Sequence, residues 1–130
     1  LKIIKQNGGG KCMDPGDVDR CIRTFAINNN LMYKILNEDD GSTVGIVIRL
    51  HHLSDTNISI AYSKYTESIV IDKYIIRKSR DTNKVKKIII SSVAMKLNTE
   101  ENTTDSEKLT TEQEINTFLI NQFFKITRAG

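Results

Sequence analysis

The sequence predicts an α+β domain: an antiparallel sheet of four or five strands, with an N-terminal and a C-terminal helix packed on one face. Three observations predict it. Apolar residues recur at helical spacing near both ends of the chain. Between those ends they alternate at strand spacing. The segments joining the alternating runs are short and rich in turn residues, which suits antiparallel pairing and not parallel crossovers. Two helices with one apolar stripe each need a shared apolar surface, and one face of the sheet supplies it. The other face is left for water or a partner.

The elements follow in order. Residues 1–12 open with the apolar-basic stretch Leu1 to Lys5 and then Gly8-Gly9-Gly10, which resists regular structure. They are read as a flexible or edge segment. Asp14 is a good N-cap, Pro15 suits the first helical position, and Asp17 puts negative charge where the helix dipole favours it. Val18, Cys21, Ile22 and Phe25 then form one apolar stripe, with Arg20 and Arg23 off it. Asn28-Asn29-Asn30 can end the helix, because Asn tolerates the left-handed conformation. Leu31 to Leu36 is a short apolar run. Asn37 to Ser42 is turn chemistry. Val44, Ile46, Ile48 and Leu50 alternate as in a half-buried strand. Ser54 to Asn57 is another turn, Ile58, Ile60 and Tyr62 alternate again, and Ile69 to Ile76 is β-rich. A polar hairpin at Ser79 to Asn83 leads into Val85 to Leu97. Residues 98–110 form a polar, acidic loop. Thr111 and Glu114 have capping-box spacing. Ile115, Phe118, Leu119, Phe123 and Ile126 make the second helical stripe, and Lys125 and Arg128 suit its C-terminal dipole.

Composition bounds the rest. A chain of 130 residues, 38% hydrophobic and 27% charged, supports a single domain with one core and argues against wholesale disorder. It begins with Leu and is read as a piece of something longer. No signal peptide and no apolar run of membrane-spanning length is seen. Cys12 and Cys21 imply no disulfide framework; Cys21 is expected to be a small, buried, reduced thiol, and Cys12 the more accessible one. Asn57-Ile58-Ser59 and Asn102-Thr103-Thr104 match the glycosylation pattern, which an Asn/Thr-rich chain meets by chance.

The residues that carry chemistry elsewhere are poorly placed here. His51-His52 are strand neighbours pointing to opposite faces, so they do not share a metal. Cys12 has no paired base. Gly8-Gly9-Gly10 lacks the Walker and dinucleotide patterns. The carboxylates fall in turns and in the late loop, as solvated charge. No catalytic residue, metal ligand or cofactor is expected.

The informative feature is a basic run. Lys73, Arg77, Lys78, Arg80, Lys84, Lys86 and Lys87 set seven cations against one anion, Asp81, over a strand end, a turn and a strand start. Several should gather at one end of the sheet and attract anionic partners. Lys78, Arg80 and Lys84 are favoured as contacts, because turns escape strand alternation. Arg20 and Arg23 are candidates to join them. A cytoplasmic membrane surface or a phosphate backbone would respond to such a patch. Tyr74 is the only aromatic near the run, which disfavours stacking on single-stranded nucleic acid. No aromatic or aliphatic wedge is evident, so neutral membranes should bind poorly.

The opening Met13-Asp14-Pro15, Val18, Cys21-Ile22-Arg23, Asn28-Asn29 and Tyr33 resembles that of kinase-associated 1 domains. These close the chains of microtubule-affinity-regulating kinases and yeast septin-associated kinases. Ile58-Ser59-Ile60-Ala61-Tyr62 and Ile69-Val70-Ile71-Asp72-Lys73-Tyr74 look like the family's paired central strands, which the C-terminal domain of AMP-activated kinase α chains shares. Ile115 to Ile126 takes the place of the final helix. The strand Lys87 to Leu97, the acidic loop and the Gly-rich start depart from the pattern, and no kinase catalytic motif is present. The resemblance implies a non-catalytic regulatory module of a Ser/Thr kinase. Such a module would bind anionic phospholipid at the inner face of the plasma membrane, with the kinase domain of the same chain as a second partner. The alternatives are a protein-interaction scaffold using the open sheet face and, less favoured, a nucleic-acid-binding module.

Overall fold

In a computed structural model the chain is described over residues 14–37, 42–50, 55–99, 102–103 and 108–128. The expectations for residues 1–12, Cys12 and His51-His52 lie outside these.

Helix α1 spans Pro15–Asn28. It starts where the sequence places its cap: the Asp14 carboxylate accepts the Asp17 N–H at 2.8 Å. Val18, Ile22, Phe25 and Ala26 are buried along one face, with Cys21 half-buried beside them. The helix stops at the Asn cluster. The Asn29 amide group donates to the Phe25 carbonyl at 2.8 Å, and Asn30 takes φ 56°.

Five strands follow: β1 Tyr33–Asn37, β2 Thr43–Arg49, β3 Thr56–Ser63, β4 Ser68–Lys78 and β5 Val85–Lys96. They lie in chain order as one antiparallel meander. Register rows explain the core. Val44, Tyr62, Ile69 and Met95 stand side by side, as do Ile46, Ile60, Ile71 and Val93, all on the face toward the helices. Strands β2 and β3 approach so closely at Gly45 that a Cβ there would sit 2.1 Å from the Ile60 carbonyl oxygen. Strand β5 carries one extra residue, Ile90, where the ladder steps from Lys73↔Ser91 to Tyr74↔Ile89.

Helix α2, Glu112–Arg128, begins with the expected capping box. The Thr111 N–H donates to Glu114 Oε1 at 3.0 Å, and the Glu114 N–H donates to Thr111 Oγ1 at 3.1 Å. Ile115, Leu119, Phe123 and Ile126 are buried, and the Phe123 ring meets Phe25 edge-on at 5.4 Å. Both helices join one core on one sheet face, as the two stripes require. Phe118 departs from expectation. It lies at the edge of the stripe and is half-buried, so its truncation removes less packing than that of Phe25, which is 1% exposed. The start and end of the 98–110 loop are pinned together. The Asn98 N–H donates to Thr110 Oγ1 at 2.7 Å, and the Thr110 N–H donates to the Asn98 carbonyl at 2.9 Å.

Candidate functional site

The β4–β5 hairpin outruns the sheet. Pairing of β3 with β4 ends at Thr56↔Ile75, while β4 and β5 stay paired from Ile75↔Ile88 out to Lys78↔Val85. A two-stranded ribbon thus projects about 10 Å past the last three-stranded row, at the usual strand rise. Its turn is closed by the Ser79 N–H to the Lys84 carbonyl at 2.9 Å and the Asn83 N–H to the Ser79 carbonyl at 3.1 Å, with Asn83 at φ 58°.

This ribbon collects most of the sequence-predicted cations. Arg77, Lys78, Arg80, Lys84 and Lys86 are all exposed, and none forms an ion pair with a described residue. Arg77 stands directly opposite Lys86 across the ladder. Like charges in that position destabilise a hairpin.

The remaining predicted cations are placed otherwise. Lys73 is 5% exposed, which corrects its assignment to the surface. Alternation puts it in the row of Ile48 and Ile58, facing the helices, and it has polar or electrostatic engagement there. Lys87 is exposed and reaches along the sheet surface: its Nζ lies 4.3 Å from the Tyr74 ring centroid and 3.9 Å from Asp72 Oδ2. Asp72 in turn accepts the Ser92 hydroxyl at 2.6 Å. Burial, with the Asp72 charge, pushes the Tyr74 phenol above its ordinary range.

Arg20 and Arg23 each have carboxylate partners. Arg20 donates to Glu112 Oε2 at 2.6 Å and to Asp17 Oδ1 at 3.1 Å, and these bonds raise its affinity for the proton further. Glu112 is in the first turn of α2, just after the Thr110–Asn98 clasp at the far end of β5. Twelve residues of strand separate that end from the hairpin, roughly 35 Å at the usual rise. Arg23 is held by Asp19 at 2.8 Å.

Two cations not counted in the sequence patch lie at the hairpin's end of the sheet. Lys125 and Arg128 occupy the last turn of α2, and Phe123 of that helix lines a cleft with Tyr33, Ile48, Leu50 and Tyr74. In the sequence they read only as complements to the helix dipole, because nothing local says which way α2 runs along the sheet.

Aliphatic side chains that the sequence did not single out are exposed in the hairpin. Ile76, Val85, Ile88, Ile89 and Ile90, all in the hairpin strands, are exposed, Val85 to 63%. Ile76 and Val85 lie in the part of the ribbon that β3 no longer pairs, while Ile88, Ile89 and Ile90 lie in β5, which has a neighbour on one side only.

Among the described residues no group of three or more His, Cys, Asp or Glu is placed to hold a metal, and no helix is long and apolar enough to cross a membrane. Comparison with family models, with curated proteins and with solved structures finds no match to this chain.

Proposed function

We propose that this domain binds anionic phospholipid surfaces through the β4–β5 hairpin, as a non-catalytic targeting or regulatory module. The observation that carries the reading is the cross-strand pair Arg77–Lys86, held without a counter-charge from any described residue and continued by Lys78, Arg80 and Lys84. A phosphate-rich surface supplies many anions to one end of the molecule at once. Each basic residue near such a surface contributes about 1 kcal/mol. The resemblance to kinase-associated 1 domains supports the same reading. With it come a Ser/Thr kinase as parent chain, its kinase domain as a partner, and a peripheral site at the inner face of the plasma membrane.

A second reading is a protein scaffold. The sheet face away from the helices carries the row Gly45, Ala61, Val70 and Ala94 and has no described element over it.

Sedimentation with vesicles of rising phosphatidylserine content tests the proposal. The wild type should bind in proportion to anionic content, and the variant Lys78→Gln, Arg80→Gln, Lys84→Gln should bind about a hundredfold more weakly. Failure of the wild type to bind such vesicles, or equal binding by the folded variant, rejects the proposal. Duplex DNA or RNA bound with a steep salt dependence, in the absence of vesicle binding, would assign the cations to a nucleic acid instead.

A further inference from the structure

Most of the exposed large apolar side chains gather toward one end. Five of them sit in the hairpin strands among its cations, and both faces of the projecting part are mixed. Ile75 and Ile88 share one face with Arg77 and Lys86; Ile76 and Val85 share the other with Lys78 and Lys87. Beyond the hairpin, Ile27 at the end of α1, Met32 just before β1 and Phe124 in α2 are exposed too. Each of these segments lies toward the same end of the sheet. Helix α1 leads directly into Tyr33, whose row Ile48–Ile58–Lys73 is two residues short of the hairpin. Among the described residues Ile35, midway along β1, and Ile120, midway along α2, are exposed as well, as is Tyr65 in the β3–β4 turn at the opposite end.

Strand propensity alone does not require this. Thr would serve a solvated ribbon as well as Ile does. A contiguous exposed apolar patch marks an interaction site, and cations threaded through it select a surface that is anionic outside and apolar beneath. A soluble acidic protein offers the first property without a yielding apolar layer. A bilayer interface offers both.

Resting on the phospholipid reading above, we infer that the hairpin end is an interfacial wedge. Its isoleucines enter the boundary between headgroups and acyl chains while Arg77, Lys78, Arg80, Lys84 and Lys86 hold the phosphates. Binding therefore has two components. The electrostatic one falls with salt, as screening shortens its reach. The apolar one remains.

The chain contains no tryptophan, so a single one reports on its own site. The experiment uses Ile89→Trp in the hairpin and Tyr65→Trp at the far end, each with vesicles of phosphatidylcholine and phosphatidylserine. On vesicle binding, the emission of Ile89→Trp should shift to the blue and be quenched by lipids brominated near the headgroup, while Tyr65→Trp stays aqueous. A second variant, Ile88→Ser with Ile89→Ser, changes only exposed side chains and should keep the wild-type circular dichroism. Its binding at high salt should fall about tenfold or more, from the lost burial of two aliphatic side chains. Vesicle binding with no blue shift at Ile89→Trp, or undiminished high-salt binding by the double variant, overturns the wedge and leaves the electrostatic reading standing. Failure of the wild type to sediment with anionic vesicles overturns both.

Discussion

The two ends of the β4–β5 ladder are built on opposite principles. At the end where β5 finishes, the chain is tied down by hydrogen bonds and one ion-pair bridge between the helices. Arg20 bridges Asp17 and Glu112, the Leu97 N–H donates to the Glu67 carbonyl at 2.8 Å, and Thr99 and Asn102 donate to the Glu67 carboxylate. At the hairpin end five cations have no described ion-pair partner, two of them face each other across the ladder, and isoleucines stand in solvent. One end is cross-linked through the Glu67 carboxylate; the other holds like charges opposite each other and apolar side chains in solvent.

The largest effect expected from this contrast is on stability. Leu97 is fully buried at the tied-down end, whereas Val85 is exposed in the ribbon. Leu97→Ala should cost about 2–5 kcal/mol, from lost transfer energy and the cavity left behind. Val85→Ala should stay within about 0.5 kcal/mol, as an exposed substitution does. Urea unfolding midpoints for the two variants measure the difference. Comparable losses at both sites would mean that the ribbon is packed and not projecting, and the contrast would break.

The next effect is on binding, and it sharpens the comparison by exchanging cations between the ends. Arg20→Gln with Arg23→Gln removes as much formal charge as a double substitution in the hairpin. Both side chains already have carboxylate partners and Arg20 is far from the ribbon. Vesicle binding by this variant should stay within about twofold of wild type, since charges beyond a Debye length of about 8 Å are screened at physiological ionic strength. Arg77→Gln with Lys86→Gln should weaken binding by about tenfold or more. That second variant should also unfold at slightly higher urea, because it removes a like-charge pair. Vesicle sedimentation and urea titration on the same samples read both quantities.

What the sequence makes legible follows the same division. Local chemistry is readable: the Asp14 cap, the Asn29–Asn30 stop, the Thr111–Glu114 box and the five strands all form where residue type and spacing place them. Both helices share one sheet face because each has a single stripe to bury. The site is only half readable. A run of cations can be counted, yet its division depends on where β3 stops beside β4, and strand ends beyond a partner leave no local mark. So Lys73, buried in a row of all five strands, and Lys78, exposed in the ribbon, look alike in the sequence. The same blind spot hides the exposure of Ile76 and Val85, which depends on where β3 stops. Pairing of Arg20 with Glu112 spans 92 residues and depends on the two helices starting at the same end of the sheet.

The smallest effect concerns pH, and it belongs to the tied-down end alone. Hydrogen bonds from the Asn102 amide and the Thr99 hydroxyl, at 3.0 and 2.8 Å, hold the Glu67 carboxyl below its ordinary range. A carboxylate whose folded-state value is depressed binds its proton less readily folded than unfolded. Its contribution to stability is therefore full above the unfolded glutamate value and is lost as pH falls through the folded one. Glu67 is also the residue at φ 54° that turns β3 into β4, and its carbonyl accepts the Leu97 N–H, so protonation loosens the side-chain half of a clasp whose backbone half persists. Glu67→Gln keeps the shape of the side chain and removes the titration. The melting temperature of the wild type should drop between neutral pH and pH values below the glutamate range by more than that of Glu67→Gln, which should start lower and change less. Parallel profiles for wild type and Glu67→Gln would show that the clasp does not depend on the charge of Glu67, and that the backbone bond to Leu97 alone ties this end down.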